Sequence, residues 1–210
     1  MSWFMSAIYD RFMSNVEEAC LIAWRAELLR ELSGEVLEIG AGTGANLRHY
    51  SAEVSRLVVT EPDSHMLPKL RERARLSKRA DVEIMNSVSE SLPFRDASFD
   101  AVVTTLVLCS VRDPEQSLRE IHRVLRPGGA LVYIEHVAAE DRADRFAWQK
   151  RIEPVWKHIA GNCHLTRRTA DTIRAAGFEV QNEQRESLRK AMFFTRPSVR
   201  GIARKPAPAG

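Results

Sequence analysis

Apolar residues in the first 33 positions recur at helical spacing: Phe12, Val16, Ala19, Ile22 and Ala23, then Trp24, Leu28, Leu29 and Leu32. The spacing predicts an amino-terminal helical segment that Gly34 ends. The pattern then changes to short apolar runs at Glu35–Ile39, Val54–Thr60, Asp81–Met85, Phe99–Leu108 and Leu131–Val137. Because these runs are continuous rather than alternating, they read as strands buried on both faces of a mostly parallel sheet. Helices are expected between them: one from about Thr43–Asn46 through Leu47 and Tyr50, a charged one carrying Met66, Leu67, Leu70 and Leu76, and one over Pro114–Leu125. Ala139–Leu165 breaks the repeat. Its Phe146, Trp148, Ile152, Val155, Trp156 and Ile159 lie among charges and predict an inserted helical cover. A helix over Thr166–Ala176 and two antiparallel strands, Phe178–Asn182 and Phe193–Ala203, complete the set of seven strands, helices being expected on both faces of the sheet. The expected organisation is one domain, 1–205, with a lid at 1–33, a cover at 139–167 and a loose tail at 206–210.

Composition narrows this picture only slightly. With 210 residues, 44% of them hydrophobic, the chain can bury a core without covalent staples. Cys20, Cys109 and Cys163 are odd in number and far apart, which argues against a disulfide framework and for a reducing cytoplasm. A net charge of +3 does not indicate nucleic-acid binding, and the basic stretches are not interleaved with stacking aromatics. No apolar run approaches the length of a spanning helix, and the opening residues lack the pattern of a secretory signal; contact with the inner face of a membrane stays open. Lys69–Arg79 carries six bases and one acid, either a solvated helix face or a phosphate or lipid surface.

The chemistry starts at VLEIGAGTGANL, where Glu38 ends a strand and Gly40, Gly42 and Gly44 form the turn after it. Glycines let the backbone bend and approach a ligand closely. Glu61 lies just past the second strand, where a carboxylate can accept bonds from both hydroxyls of a ribose. The full Gly-x-Gly-x-x-Gly run of dinucleotide binders is missing, since Ala45 stands two residues after Thr43. No lysine followed by Ser or Thr marks a phosphate loop.

Five ordered segments, EIGAGTG at 38–44, TEPD at 60–63, SESLPF at 89–94, FDAVVTTLVLCSV at 99–111 and LRPGGALVYIEHV at 125–137, resemble the class I S-adenosylmethionine-dependent methyltransferases. That resemblance implies a Rossmann-like seven-stranded sheet and S-adenosylmethionine as donor, with no metal. It places Gly40, Gly42 and Gly44 around the methionine part and Glu61 on the ribose, with Glu38 and Thr105 also among the cofactor-binding residues. Ser89 and Glu90 fall along the adenine, with Pro62, Met66 and Leu92 available to sandwich the ring or simply to pack. Val88 stands where family members often carry an Asp that accepts from the adenine amino group, so this contact falls to backbone groups.

TLVLCSV at 105–111, EHVAAE at 135–140, the Trp148–Trp156 segment and GNCHLTR at 161–167 also resemble the animal alkyl thiol S-methyltransferases and their bacterial relatives. The YDRFM opening is similar to bacterial enzymes that methylate phosphatidylethanolamine. These resemblances imply a small-molecule acceptor, with thiol sulfur preferred to an amine or hydroxyl, and no nucleic-acid partner; peripheral lipid contact stays open and a monomer is slightly favoured. In this reading Tyr9 belongs to a lid over the donor that Phe12 helps to dock, or to a packing helix. Phe12, Cys109, Trp148 and Trp156 are candidates for the acceptor pocket. His136, at the end of the fifth strand, is a candidate base oriented by Glu135, or a satisfied core histidine. A cofactor-binding scaffold without activity and a hydride-transfer enzyme are the alternatives.

Overall fold

A computed structural model describes residues 14–77, 79 and 81–207. Seven strands form one sheet: β1 (Gly34–Ile39), β2 (Val54–Thr60), β3 (Val82–Met85), β4 (Phe99–Thr105), β5 (Leu125–His136), β6 (Glu179–Ser187) and β7 (Pro197–Arg204). Their order is β3-β2-β1-β4-β5-β7-β6. The first five are mutually parallel, and β7 runs antiparallel to both neighbours. This is the mostly parallel sheet expected from the apolar runs, in the Rossmann-like, seven-stranded form that the resemblance implied.

Alternation along each buried strand supplies two cores. Val36, Ala101, Val103 and Val132 face the amino-terminal helix, α1 (Ile22–Leu29), and α2 (Leu67–Leu76), where Leu21, Trp24, Leu28 and Leu70 pack. Leu37, Val102, Leu131 and Tyr133 point the other way, onto Leu118 and Ile121 of α3 (Pro114–Val124) and Ile173 of α5 (Thr169–Ala175). Side chains on successive strand residues point to opposite faces, so one apolar run feeds both layers. Between β5 and α5 lies the cover helix, α4 (Ala143–Ile159).

The structure corrects four expectations about elements. The helix predicted from Thr43 to Tyr50 is a series of turns ending in a single 3-10 turn, Leu47–His49. Gly44 there has φ +85°, outside the helical range, and the Asn46 and Tyr50 side chains reach back to Glu38. Strand β4 stops at Thr105, three residues early, because Leu106 has φ +58° and turns the chain. Strand β5 starts six residues early, at Leu125, and takes in the Pro127–Gly129 stretch that reads as a helix stop. Phe193–Thr195 is a 3-10 turn before β7.

Candidate active site

The strand order reverses between β1 and β4, and the carboxyl ends of β1 to β5 all meet there. Open parallel sheets bind ligands at this point. A cavity of about 1240 Å³ opens over these ends. The segments after β1, β2 and β3 contribute Gly40, Gly42, Glu61, Pro62, Met66 and Ser89 to its wall, and β5 with the segments after β4, β5 and β6 contributes Cys109, His136, Trp156, Cys163, Leu188 and Met192.

Glu61 is buried and held from two sides. Its Oε2 accepts from the Gly42 amide at 2.8 Å and its Oε1 from the Asp63 amide at 2.9 Å. Burial pushes its pKa up, and the Asp63 and Gly42 amides pull it back. The carboxylate is therefore fixed against the glycine turn, with its remaining lone pairs free for hydroxyl donors.

Gly42 and Gly44 both have positive φ but serve different ends. At Gly42 (φ +58°) an added Cβ would meet nothing within 4 Å; at Gly44 (φ +85°) it would press on Leu47 Cδ1 at 2.8 Å and Leu70 Cδ1 at 2.9 Å. Gly44→Ala is therefore expected to lower stability by about 1–3 kcal/mol through overpacking and backbone strain. Gly42→Ala carries strain from its own positive φ but meets no obstruction, so it should lose less stability and act chiefly on ligand affinity, by filling the cavity wall. Thermal melts with and without S-adenosylhomocysteine separate the two; equal loss of melting temperature in both apo variants would contradict this division.

Glu38 lies behind the turn and does not reach the cavity. Its carboxylate accepts from Asn46 Nδ2 at 3.0 Å and from the Tyr50 hydroxyl at 2.8 Å. Asn46 in turn accepts from Arg25, which pairs with Glu17 at 2.8 Å, so the network ties the amino-terminal helical segment to the glycine turn. Burial raises the Glu38 pKa to about 7, against the opposing pull of Tyr50, Arg25 and Asn46. A carboxyl whose folded pKa is raised contributes stability that is complete below its unfolded pKa and lost as pH rises through the folded one. Glu38→Gln should flatten the pH dependence of the unfolding free energy between pH 4.5 and about 7 by on the order of 3 kcal/mol, read from melting curves. A variant melting curve parallel to wild type across that window would refute the shift.

Glu135 and His136 adjoin in β5 and so point to opposite faces. Glu135 does not orient His136, as the sequence suggested. It accepts from the Val107 and Cys109 amides, both at 3.2 Å, and fixes the turn that Leu106 starts. Its pKa is raised to about 7 by burial, opposed by the amides of Leu108, Val107 and Cys109. His136 faces the cavity; its Nε2 lies 3.5 Å from the Phe194 carbonyl, and its buried Nδ1 has no hydrogen-bond partner.

Among the other expected positions, Pro62, Met66, Ser89, Glu90, Thr105, Cys109 and Trp156 line the cavity. Ser89 turns its hydroxyl to Ser117 at 2.8 Å, and Glu90 accepts from the Arg112 amide at 2.9 Å. Leu92 packs in the core below β4 instead of against the cavity. Trp148 is corrected too: it is 51% exposed and absent from the cavity wall. Eight residues along a helix turn the direction by about 80° beyond two full turns, so Trp148 faces out where Trp156 faces in. Tyr9 and Phe12 lie outside the described residues. Sequence reading missed Asn46 and Tyr50 as props of the turn, and Leu188, Ala191 and Met192 as part of the wall. Among the described residues no group of three or more His, Cys, Asp or Glu side chains is disposed to hold a metal ion.

A family profile described as a methyltransferase domain matches residues 37–133. Human thiol S-methyltransferase TMT1A is 35% identical over 190 residues, covering 84% of this chain and 75% of the relative. The chain belongs to the class I S-adenosylmethionine-dependent methyltransferases. Thiol S-methyltransferase TMT1B of Rattus norvegicus is 39% identical over 160 residues, and the human TMT1B 40% over 157. The match covers 74% and 72% of this chain but slightly under two thirds of those relatives, 65% and 64%. Ubiquinone/menaquinone biosynthesis C-methyltransferase UbiE of Enterobacter sp. is a more distant relative, 35% identical over 104 residues, 48% of this chain and 41% of its own. Among solved structures the [4+2]-cyclase SpnF superposes with a TM-score of 0.72 at 22% identity, covering 89% of this chain and 80% of its own. A geranyl diphosphate methyltransferase superposes at 0.71 and 17% identity, covering 90% and 78%. These two likenesses establish the fold alone.

The methyltransferase donor fits the wall described above. The open space beside Gly42 admits a ligand against the backbone, and the Glu61 carboxylate stands ready for hydroxyls. Val88, half exposed on the wall, offers no acceptor through its side chain.

Proposed function

We propose that this chain transfers the methyl group of S-adenosylmethionine to a small, largely apolar thiol, and that His136 takes the thiol proton. Gly40, Gly42 and Glu61 would hold the donor, with Pro62 and Met66 beside its base. Bound S-adenosylmethionine supplies a methyl group already activated by a sulfonium. What remains for the protein is alignment and deprotonation of the acceptor.

The observation that carries the reading is the composition of the rest of the cavity wall. The cavity, about 1240 Å³, exceeds the roughly 300–1,000 Å³ usual for one small ligand, leaving room for an acceptor beside the donor. That second space is bounded by Trp156, Ile159, Leu188 and Met192, with His136 on its wall beside Cys163. An apolar thiol loses little on entering such a space, and a neutral imidazole can accept its proton. The names of the thiol S-methyltransferase relatives support the preference for sulfur.

Lipid contact is a second reading, favoured by one feature. Trp148, Val155 and Ile159 are 51%, 64% and 53% exposed on one stripe of α4. Arg151 sits over the Trp148 ring at 5.9 Å and Lys150 over Phe146 at 4.5 Å. An apolar stripe flanked by cations suits an anionic membrane surface. No helix of the described residues is long and apolar enough to cross a membrane. The chain is proposed to work in the cytoplasm.

The test is steady-state methyl transfer to a series of alkyl and aryl thiols, beside vesicles of phosphatidylethanolamine with an anionic lipid. Saturable thiol turnover with no methylated lipid is expected. Methylation of the lipid amine with all thiols inert would reverse the preference, and donor binding without turnover on either would favour a non-catalytic scaffold.

A further inference from the structure

Cys109 and Cys163 are 54 residues apart in the chain, yet their Sγ atoms lie 3.9 Å apart on the acceptor side of the cavity. We infer that these two cysteines are a redox modification site, closing to a reversible disulfide when a hydroperoxide enters the cavity.

Three independent features support this. First, the backbones are already in register: the His164 amide donates to the Cys109 carbonyl at 2.8 Å, so the two cysteine main chains run side by side. A disulfide needs this proximity of backbones, with Cα atoms within about 7 Å. Second, the segments are anchored on both sides. Glu135 accepts from the Cys109 amide at 3.2 Å, and Asn162 Nδ2 donates to the Ser110 carbonyl at 2.8 Å. Little chain entropy is left to lose on closure. Third, the thiols are chemically unequal. Cys109 is fully buried, its pKa raised well above the usual thiol range by its contact with Cys163 and by burial. Cys163 is partly exposed to the cavity, its pKa lowered by the Cys109 thiol, the His136 ring and the Trp156 indole, against burial. One sulfur is thus the nucleophile and the other the resolving thiol.

The step balances with a hydroperoxide as oxidant. The Cys163 thiolate attacks the peroxide oxygen, the O–O bond breaks, and Cys163 becomes a sulfenic acid as hydroxide (or alkoxide) departs. The Cys109 sulfur then attacks the Cys163 sulfur. The S–S bond forms, the sulfenic oxygen leaves with the Cys109 proton as water, and two electrons have passed from the thiols to the peroxide. A small thiol reverses the bond by exchange and leaves as its own disulfide. The bond would clamp the 160–164 turn to the 106–111 turn beside His136, narrowing the acceptor space while the donor wall is untouched. Only this consequence rests on the methyl-transfer reading; the bond does not.

The test treats the full chain with a few equivalents of hydrogen peroxide and counts thiols alkylated in denaturant. The three cysteines of the reduced chain are expected to fall to one, Cys20, with a disulfide-linked pair of peptides carrying Cys109 and Cys163. Dithiothreitol should restore all three. In Cys109→Ala, Cys163 should accumulate as a sulfenic acid trapped by dimedone; in Cys163→Ser no disulfide should form and Cys109 should stay alkylatable. Three alkylatable thiols in oxidised wild type, or Cys163 passing to sulfinic acid without pairing, would overturn the site. If the disulfide forms but the oxidised chain binds an alkyl methyl thioether, the expected product and no reductant, within twofold of the reduced chain, the clamping of the acceptor space is overturned and the methyl-transfer reading stands.

Discussion

Glu61→Ala is expected to weaken binding of S-adenosylhomocysteine about 10- to 100-fold, the loss of charge-assisted hydrogen bonds worth ~1.5–3 kcal/mol. The carboxylate is buried at the cavity wall and its orientation is set by the Gly42 and Asp63 amides. It therefore needs little reorganisation to accept from a ribose, and most of the interaction appears as affinity. Alanine also leaves those two amides without their acceptor, so the glycine turn should loosen. Glu61→Gln keeps the shape but turns its carboxamide NH2, a donor, toward one donating backbone N–H, and it should fall between wild type and alanine. Isothermal titration checks the order. Binding by Glu61→Ala within twofold of wild type would remove Glu61 from the donor site.

His136→Ala is expected to reduce turnover of a thiol acceptor about 10²- to 10⁴-fold, the usual contribution of a positioned general base. Donor affinity should hold within a few-fold, because His136 ends β5, separated by β4 from β1 and β2, whose ends carry Gly42 and Glu61. The informative readout is the pH–rate profile. Wild type should turn over the thiol near neutral pH, with His136 supplying the base. The variant should instead gain rate with rising pH, as solvent hydroxide supplies the thiolate. His136→Ala turning over at near-wild-type rate throughout that range would leave the residue a structural role between β5 and the Phe194 carbonyl.

The neighbouring carboxylate illustrates a limit of sequence reading. Glu135 beside His136 looks like an acid–base pair, but adjacency in a strand separates two side chains by the whole sheet. Glu135 spends its oxygens on the backbone of the turn after β4 and so acts as a positioning residue for the Cys109 wall. The same reasoning divides Trp148 from Trp156. Spacing close to two helical turns suggested a shared wall, and the residual rotation put one ring in solvent and the other at the cavity.

The sequence by itself determined the sheet, its parallel character and the place of the glycine turn. Continuous apolar runs, glycines after the first strand and an acid after the second are local signals, each set by what a strand core or a close backbone approach requires. Tertiary structure alone decided which carboxylates reach the cavity. Glu38 lies near the end of β1 and Glu61 just after β2, yet Asn46 and Tyr50 enclose the first while the second lines the cavity. It alone decided as well that Cys109 and Cys163, separated by β5 and the cover helix, meet at one wall. Such encounters depend on how the long cover folds back over the sheet, and no short-range pattern of residues encodes that return.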